Sequence, residues 1–247
     1  MIRALTGLLS IWLISLNTLA GPNINVGMVY DYMDGDKSTY LKRVFNGGDS
    51  TAFIRVSIKE IVYKADGSRE EVEVKSHTDR RARNGLMSSP SRLIVPPNGT
   101  QGARLLFMGP RDQERYFRVR FIPVVPEKED EFALSADQAN DYKKNLSAGV
   151  NVLAGYGTVF FVRPENTHFD TYIENTAKHY LLRNQGNSVI VVDEFKDCAA
   201  NDMLQCNPTT KTHILPGRTL RFDKQSGRHY RFTLVEGHAQ KNIEVKR

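Results

Sequence analysis

The chain has 247 residues, enough for one large or two ordinary cores; a quarter of them are charged, and the net charge is +6. Its six histidines stand without Cys, Asp or Glu at ligand spacing, and no Gly-x-Ser-x-Gly elbow or phosphate-cradling glycine loop precedes a helix. No metal, cofactor or enzyme activity is therefore expected. The basic excess gathers at Arg80-Arg81-Ala82-Arg83 without any nucleic-acid motif, and reads as a solvated loop.

The chain opens with MIRALTGLLSIWLISLNTLA, an early cation followed by an apolar stretch and a small-residue end. This is the pattern of a secretory signal peptide cut after Ala20, too short and wrongly flanked for a membrane anchor. Export into oxidising surroundings gives the two cysteines a role. Cys198 and Cys206 lie in a stretch rich in Asn, Asp and Pro and are expected to form one disulfide across a local excursion. So short a loop contributes about 2 to 3 kcal/mol.

Beyond Ala20 the dominant pattern is short strand-like runs separated by Gly, Pro, Asn or Asp. Strands are expected at Asn23–Tyr32, Tyr40–Phe45, Ala52–Tyr63, Arg69–Lys75, Arg92–Val95, Ala103–Met108, Arg115–Val125 and Gly149–Arg163. After Pro164 the pattern begins again, at His168–Glu174, His179–Arg183, Ser188–Glu194, Thr210–Ile214, Thr219–Phe222, His229–Val235 and Asn242–Lys246. The halves also echo each other: Leu93-Ile-Val-Pro-Pro-Asn-Gly99 leads to two strands as Ile214-Leu-Pro-Gly-Arg218 does later. Two all-β sandwiches joined at Arg163-Pro164 is the expected architecture, with domains 21–163 and 164–247. The only stretch that could coil, Ser135–Lys144, has no apolar stripe and falls in a long polar connection from Pro126 to Leu146.

One strand carries more apolar surface than a sandwich needs. In Gly149–Arg163 the even face offers Val150, Val152, Ala154, Tyr156, Thr158, Phe160 and Val162, while the odd face has little bulk before Val159 apart from Leu153. The later half is apolar on both faces, as a core strand is. The earlier half is built to lie beside something else.

Four stretches together resemble the periplasmic pilus chaperones of the chaperone/usher pathway, and more closely their alternate branch. They are Arg92-Leu-Ile-Val-Pro-Pro-Asn-Gly99; Leu105-Leu-Phe-Met-Gly-Pro110 with Glu114-Arg-Tyr-Phe-Arg-Val-Arg120; Gly157-Thr-Val-Phe-Phe-Val-Arg-Pro164; and Asp197-Cys198 with Cys206 and Leu215-Pro-Gly-Arg218. The resemblance implies two immunoglobulin-like domains in a boomerang, and a strand laid into the open groove of a pilin subunit that lacks its own last strand. Val150, Val152, Ala154 and Tyr156 are then the groove-filling side chains. The implied partners are pilin subunits and an outer-membrane usher, with self-association when no subunit is bound; neither nucleic acid nor a membrane anchor is implied.

Members of that family hold the pilin's terminal carboxylate with a cation on the first strand and another on the donor strand. Here the first strand has neither Lys nor Arg, and the donor strand has Thr158 and Val159 near the place where a lysine is expected. Arg118 and Arg43 become the expected anchors, because a guanidinium can grip a carboxylate with two parallel bonds, and Thr158 is expected to add a hydroxyl contact. The competing reading, an exported immunoglobulin-like adhesin or pilus component, requires a terminal strand paired within its own fold.

Overall fold

Alternation of buried and exposed side chains with period two runs through most elements of the computed structural model, which describes residues 21–64, 66–74, 84–127, 132, 134–147 and 152–246. The first twenty residues, read above as a signal peptide, Arg80 to Arg83 and Val150 lie outside the described residues. The first half contains β1 (Ile24–Asn25), β2 (Tyr30–Met33), β3 (Thr39–Asn46), β4 (Ala52–Tyr63), β5 (Arg69–Glu73), β6 (Gly85–Ser89), β7 (Arg92–Val95), β8 (Thr100–Met108), β9 (Arg115–Val124), α1 (Ala136–Ser147) and β10 (Tyr156–Val162). One sheet has the order β1-β3-β8-β6, the other β2-β10-β9-β4-β5 with β7 also paired to β4. Val44, Ile54, Leu93, Leu105, Phe117, Phe121 and Phe160 close the core between them.

The second half holds β11 (Thr171–Asn175), β12 (His179–Asn184), β13 (Ile190–Ala199), β14 (Asp202–Cys206), β15 (Thr210–Ile214), β16 (Thr219–Asp223), β17 (Arg228–Glu236) and β18 (Ala239–Val245). A three-stranded sheet, β11-β12-β16, faces β14-β13-β17-β18, with β15 paired to β13. Tyr180, Leu182, Ile190, Phe232 and Leu234 belong to this second core. The fold is thus two immunoglobulin-like sandwiches. Among the described residues no helix is long and apolar enough to cross a membrane.

The halves share a turn. Asn46 donates to the carbonyls of Ser50 and Val95, and Asn184 to those of Ser188 and Ile214, in Asn-x-Gly-x-Ser sequences at matching places. Both asparagines are fully buried.

Several expectations need correction. The first predicted strand, Asn23–Tyr32, is two elements: β1 pairs with β3 in one sheet and β2 pairs in parallel with β10 in the other. β6 and β14 fall where no strand is expected; β14 pairs Cys206 directly with Cys198, and the disulfide joins them. Within the polar connection, the stretch read as able to coil does so: Ala136–Ser147 forms a twelve-residue helix, α1. It has no buried residue, and Tyr142 tethers it through a hydrogen bond to the Thr51 carbonyl and an edge contact with Phe53. Ala139, Tyr142 and Leu146 are half-buried at helical spacing, a short stripe whose last member lies beyond the stretch read as able to coil.

Candidate functional site

β10 is divided in two by its neighbours. On one side it pairs antiparallel with β9 along its whole length, from Tyr156 opposite Phe121 to Val162 opposite Arg115. On the other side the ladder with β2 begins only at Val159, whose amide donates to the Val29 carbonyl at 2.8 Å. Among the described residues no strand pairs with the second edge before Val159, and the alternation of the ladder turns the backbone of Gly157 toward it, with only the Arg118 side chain near its carbonyl. Of the strand predicted from Gly149, the described part begins at Tyr156, and residues 152–155 precede it without a ladder of their own.

The even face of β10 continues out of the core. Thr158, Phe160 and Val162 are buried; Tyr156, Ala154 and Val152 on the same register are exposed, with Val152 at 78%. The exposed apolar side chains thus sit on the core register of a sandwich that ends before them. An incoming strand at this edge finds main-chain donors and acceptors beside side chains already aligned with a core.

The odd face explains why the later half is apolar twice. Phe161 is 2% exposed, covered by the second sandwich: the His213 ring of β15 stacks on it at 5.3 Å, and Tyr32 and Tyr116 pack around it. The Tyr32 hydroxyl meets His213 Nε2 at 2.7 Å. Burial pushes His213 down to about 4, so at neutral pH it is uncharged. The Tyr32 hydroxyl itself is pushed well above its usual range by burial.

A second tie crosses the same junction. Glu114, at the entry to β9, accepts from the Ser188 hydroxyl at 2.6 Å and from the Val189 amide at 2.9 Å. Burial raises its pKa, although these hydrogen bonds pull the other way. Arg163 pairs with Asp34 and lies over the rings of Tyr32 and Phe169, while Gly35 packs so closely on the Pro164 carbonyl that no side chain fits there. The angle between the sandwiches is thus fixed by packed rings and a buried carboxylate.

The expected anchor residues separate. Arg118 projects from the outer face of the β10 sheet, where its Nη1 is 3.4 Å from the Gly157 carbonyl and its Nε is 3.2 Å from Glu71. Arg120 reaches the other Glu71 oxygen at 2.6 Å. Against the upward pull of its own burial, these two arginines hold the Glu71 carboxyl below its usual range. Arg43 is exposed on β3 of the opposite sheet, so it does not converge with Arg118. Thr158 is 1% exposed and its hydroxyl donates to the Val119 carbonyl, so in the free chain it lies within the sandwich and not on its surface.

Sequence reasoning missed a buried ion pair behind the bare edge. Lys42 Nζ lies 2.7 Å from Asp31 and 2.6 Å from the Met28 carbonyl, and Tyr40 donates to Asp31 at 2.7 Å. The signal was present, since Lys42 and Asn46 stand on the core register of β3 with Tyr40 and Val44. Among the described residues no cluster of three or more His, Cys, Asp or Glu side chains could hold a metal.

No protein-family model matches the chain. Over 204 residues it is 26% identical to the probable fimbrial chaperone EcpB of Escherichia coli O1:K1, covering 81% of each protein. The chain is similar to the fimbrial chaperones in sequence. In fold it is similar to the class 5 fimbriae chaperone CfaA, with a TM-score of 0.54 and 18% identity over 91% of this chain and all of that one. It is also similar to a chain of the CsuC-CsuE chaperone–tip adhesion subunit complex of Acinetobacter baumannii, with a TM-score of 0.52 and 12% identity over 91% of this chain and 97% of that one. At these identities the likeness is one of fold.

Proposed function

We propose that this chaperone works in the periplasm after removal of its first twenty residues, binds pilin subunits by donor-strand complementation along β10, and delivers them to an outer-membrane usher, in the manner of the alternate branch. The bare edge before Val159, with Val152, Ala154 and Tyr156 exposed on a core register, carries this reading. Val150, by sequence the next residue on that face, completes the set. Burial of a side chain of this size contributes about 1.5 to 3 kcal/mol, so three or four contribute roughly 5 to 10 kcal/mol before ordering costs. That covers an incomplete core while leaving room for a pilin's own extension to displace it. The domain boundary at Arg163-Pro164 belongs to the same reading, as does self-pairing of two copies through the bare edge when no subunit is bound.

Arg118 is the anchor for the pilin's terminal carboxylate. It faces the same side as the odd edge of β10, and a carboxylate arriving there would share its guanidinium with Glu71 or replace Glu71.

Co-expression with pilin subunits tests the reading. Val152→Arg abolishes co-purification of the subunit while the chaperone stays folded, because position 152 touches no core in the free protein. Unchanged recovery of the complex would refute donor-strand capture. In the same assay Arg118→Ala weakens capture, whereas loss with Arg43→Ala alone would assign the carboxylate elsewhere.

A further inference from the structure

The bare edge exists because the first strand leaves it. β2 runs parallel to β10 from Tyr30 onward, but residues 26–29 turn away and cross to the other sheet, where β1 pairs with β3. Had the chain stayed straight, Val29 and Gly27 would continue the ladder and occupy the edge-facing backbone of Gly157. The crossing has a visible cost: Met28 is 71% exposed and Val29 44%. Apolar side chains are not left in water unless something holds the backbone there.

That hold is the ion-pair cluster. Lys42 comes from β3, in the sheet to which the chain crosses, and takes both the Met28 carbonyl and the Asp31 carboxylate with its ammonium group. Tyr40, also from β3, takes the second Asp31 oxygen and sets its ring edge-on to Phe160 of β10 at 5.2 Å. Gly27 supplies the left-handed turn, with φ of 68°. Asp31 and Lys42 are 2% and 4% exposed, so the pair is shielded from water and salt and each charge depends on the other.

We infer that Asp31, Lys42 and Tyr40 are positioning residues that steer the first strand off β10 and thereby set the length of edge available to a pilin. The inference rests on the donor-strand reading given above and deepens it. The cluster touches no partner; it acts by keeping the chain's own N-terminal segment from filling the site.

The test replaces both charges together, Asp31→Leu with Lys42→Met, because removing one alone strands the other in the interior. Hydrogen exchange on the free double variant is expected to show slower exchange at the Gly157 amide as residues 27–29 zip along β10. Subunit capture is expected to weaken about tenfold, the equivalent of one or two backbone hydrogen bonds returned to the edge. A variant that was merely loosened would exchange faster at Gly157, and that result overturns the inference, as does unchanged exchange with unchanged capture. If the double variant does not fold, Tyr40→Phe keeps the ring on Phe160, removes one bond to Asp31, and must shift Gly157 protection in the same direction. Val152→Arg runs beside both. If it too captures normally, the donor-strand reading fails; if it alone abolishes capture, only the positioning role fails.

Discussion

β10 and β18 hold the same place in their sandwiches: each pairs with the strand before it, and each leaves an edge at least partly bare. The register of β18 sets Lys241 opposite the core residue Leu234, just as that of β10 sets Tyr156 opposite the core residue Phe121. From there the strands diverge. β18 carries Gln240, Lys241, Asn242 and Glu244, all exposed, the charged and polar edge by which sheets avoid pairing with strangers. β10 leads instead from Val152 and Ala154 to Tyr156, with glycines whose backbone is open to approach. The same framework thus has one edge closed by chemistry and one left receptive, which locates function in the difference.

The largest effects test the shared framework. Asn46→Ala and Asn184→Ala each strand buried carbonyls, and each is expected to cost about 2 to 4 kcal/mol in urea unfolding. Similar losses support equivalent turns; a loss at only one breaks the parallel. A smaller effect tests why β10 is apolar twice in its later half. His213 has a folded pKa of about 4 against an ordinary value near 6.5, so its contribution is whole above pH 6.5 and is lost as pH falls through 4. Glu114, raised by burial, works in the opposite direction, since acidification favours its buried form. Melting temperatures at pH 7 and 4.5 are therefore compared between wild type and His213→Gln, and the wild type is expected to lose several degrees more. Equal losses would remove His213 from the junction's pH response. The smallest effect is reciprocal: Lys241→Val gives β18 some of the character of β10 and is expected to raise self-association measurably by sedimentation. No change would mean that the charge at this position does not guard the edge.

Much of this was legible in the alternation of side chains. The run of sandwich strands, the echo of Leu93–Gly99 in Ile214–Arg218, and the surplus face around Val152 all follow from period two and from turn residues. What escaped follows from contacts between distant residues. Asn23–Tyr32 alternates almost throughout, and its local marks, Gly27 and the apolar pair Met28-Val29, are too slight to show that it changes sheets; the change is made by Lys42 and Tyr40 of β3. Thr158 looked available because a hydroxyl on a strand is ambiguous, and only the sandwich's depth shows it buried. Glu114 finds its partners 74 and 75 residues later, a pairing without any spacing signal. The repeated Asn-x-Gly-x-Ser was readable, and marks the two turns directly.

The junction around Phe161 also bears on how the chain comes to be made. A chain folding from its N-terminus completes the strands of the first sandwich before Ser188 and His213 exist, and until then Phe161, Tyr32 and Tyr116 form a greasy facet with Glu114 beside it. The leading half is therefore not a free-standing module: cut after Pro164, it would be a sticky fragment, and the trailing half serves as its lid as much as its neighbour.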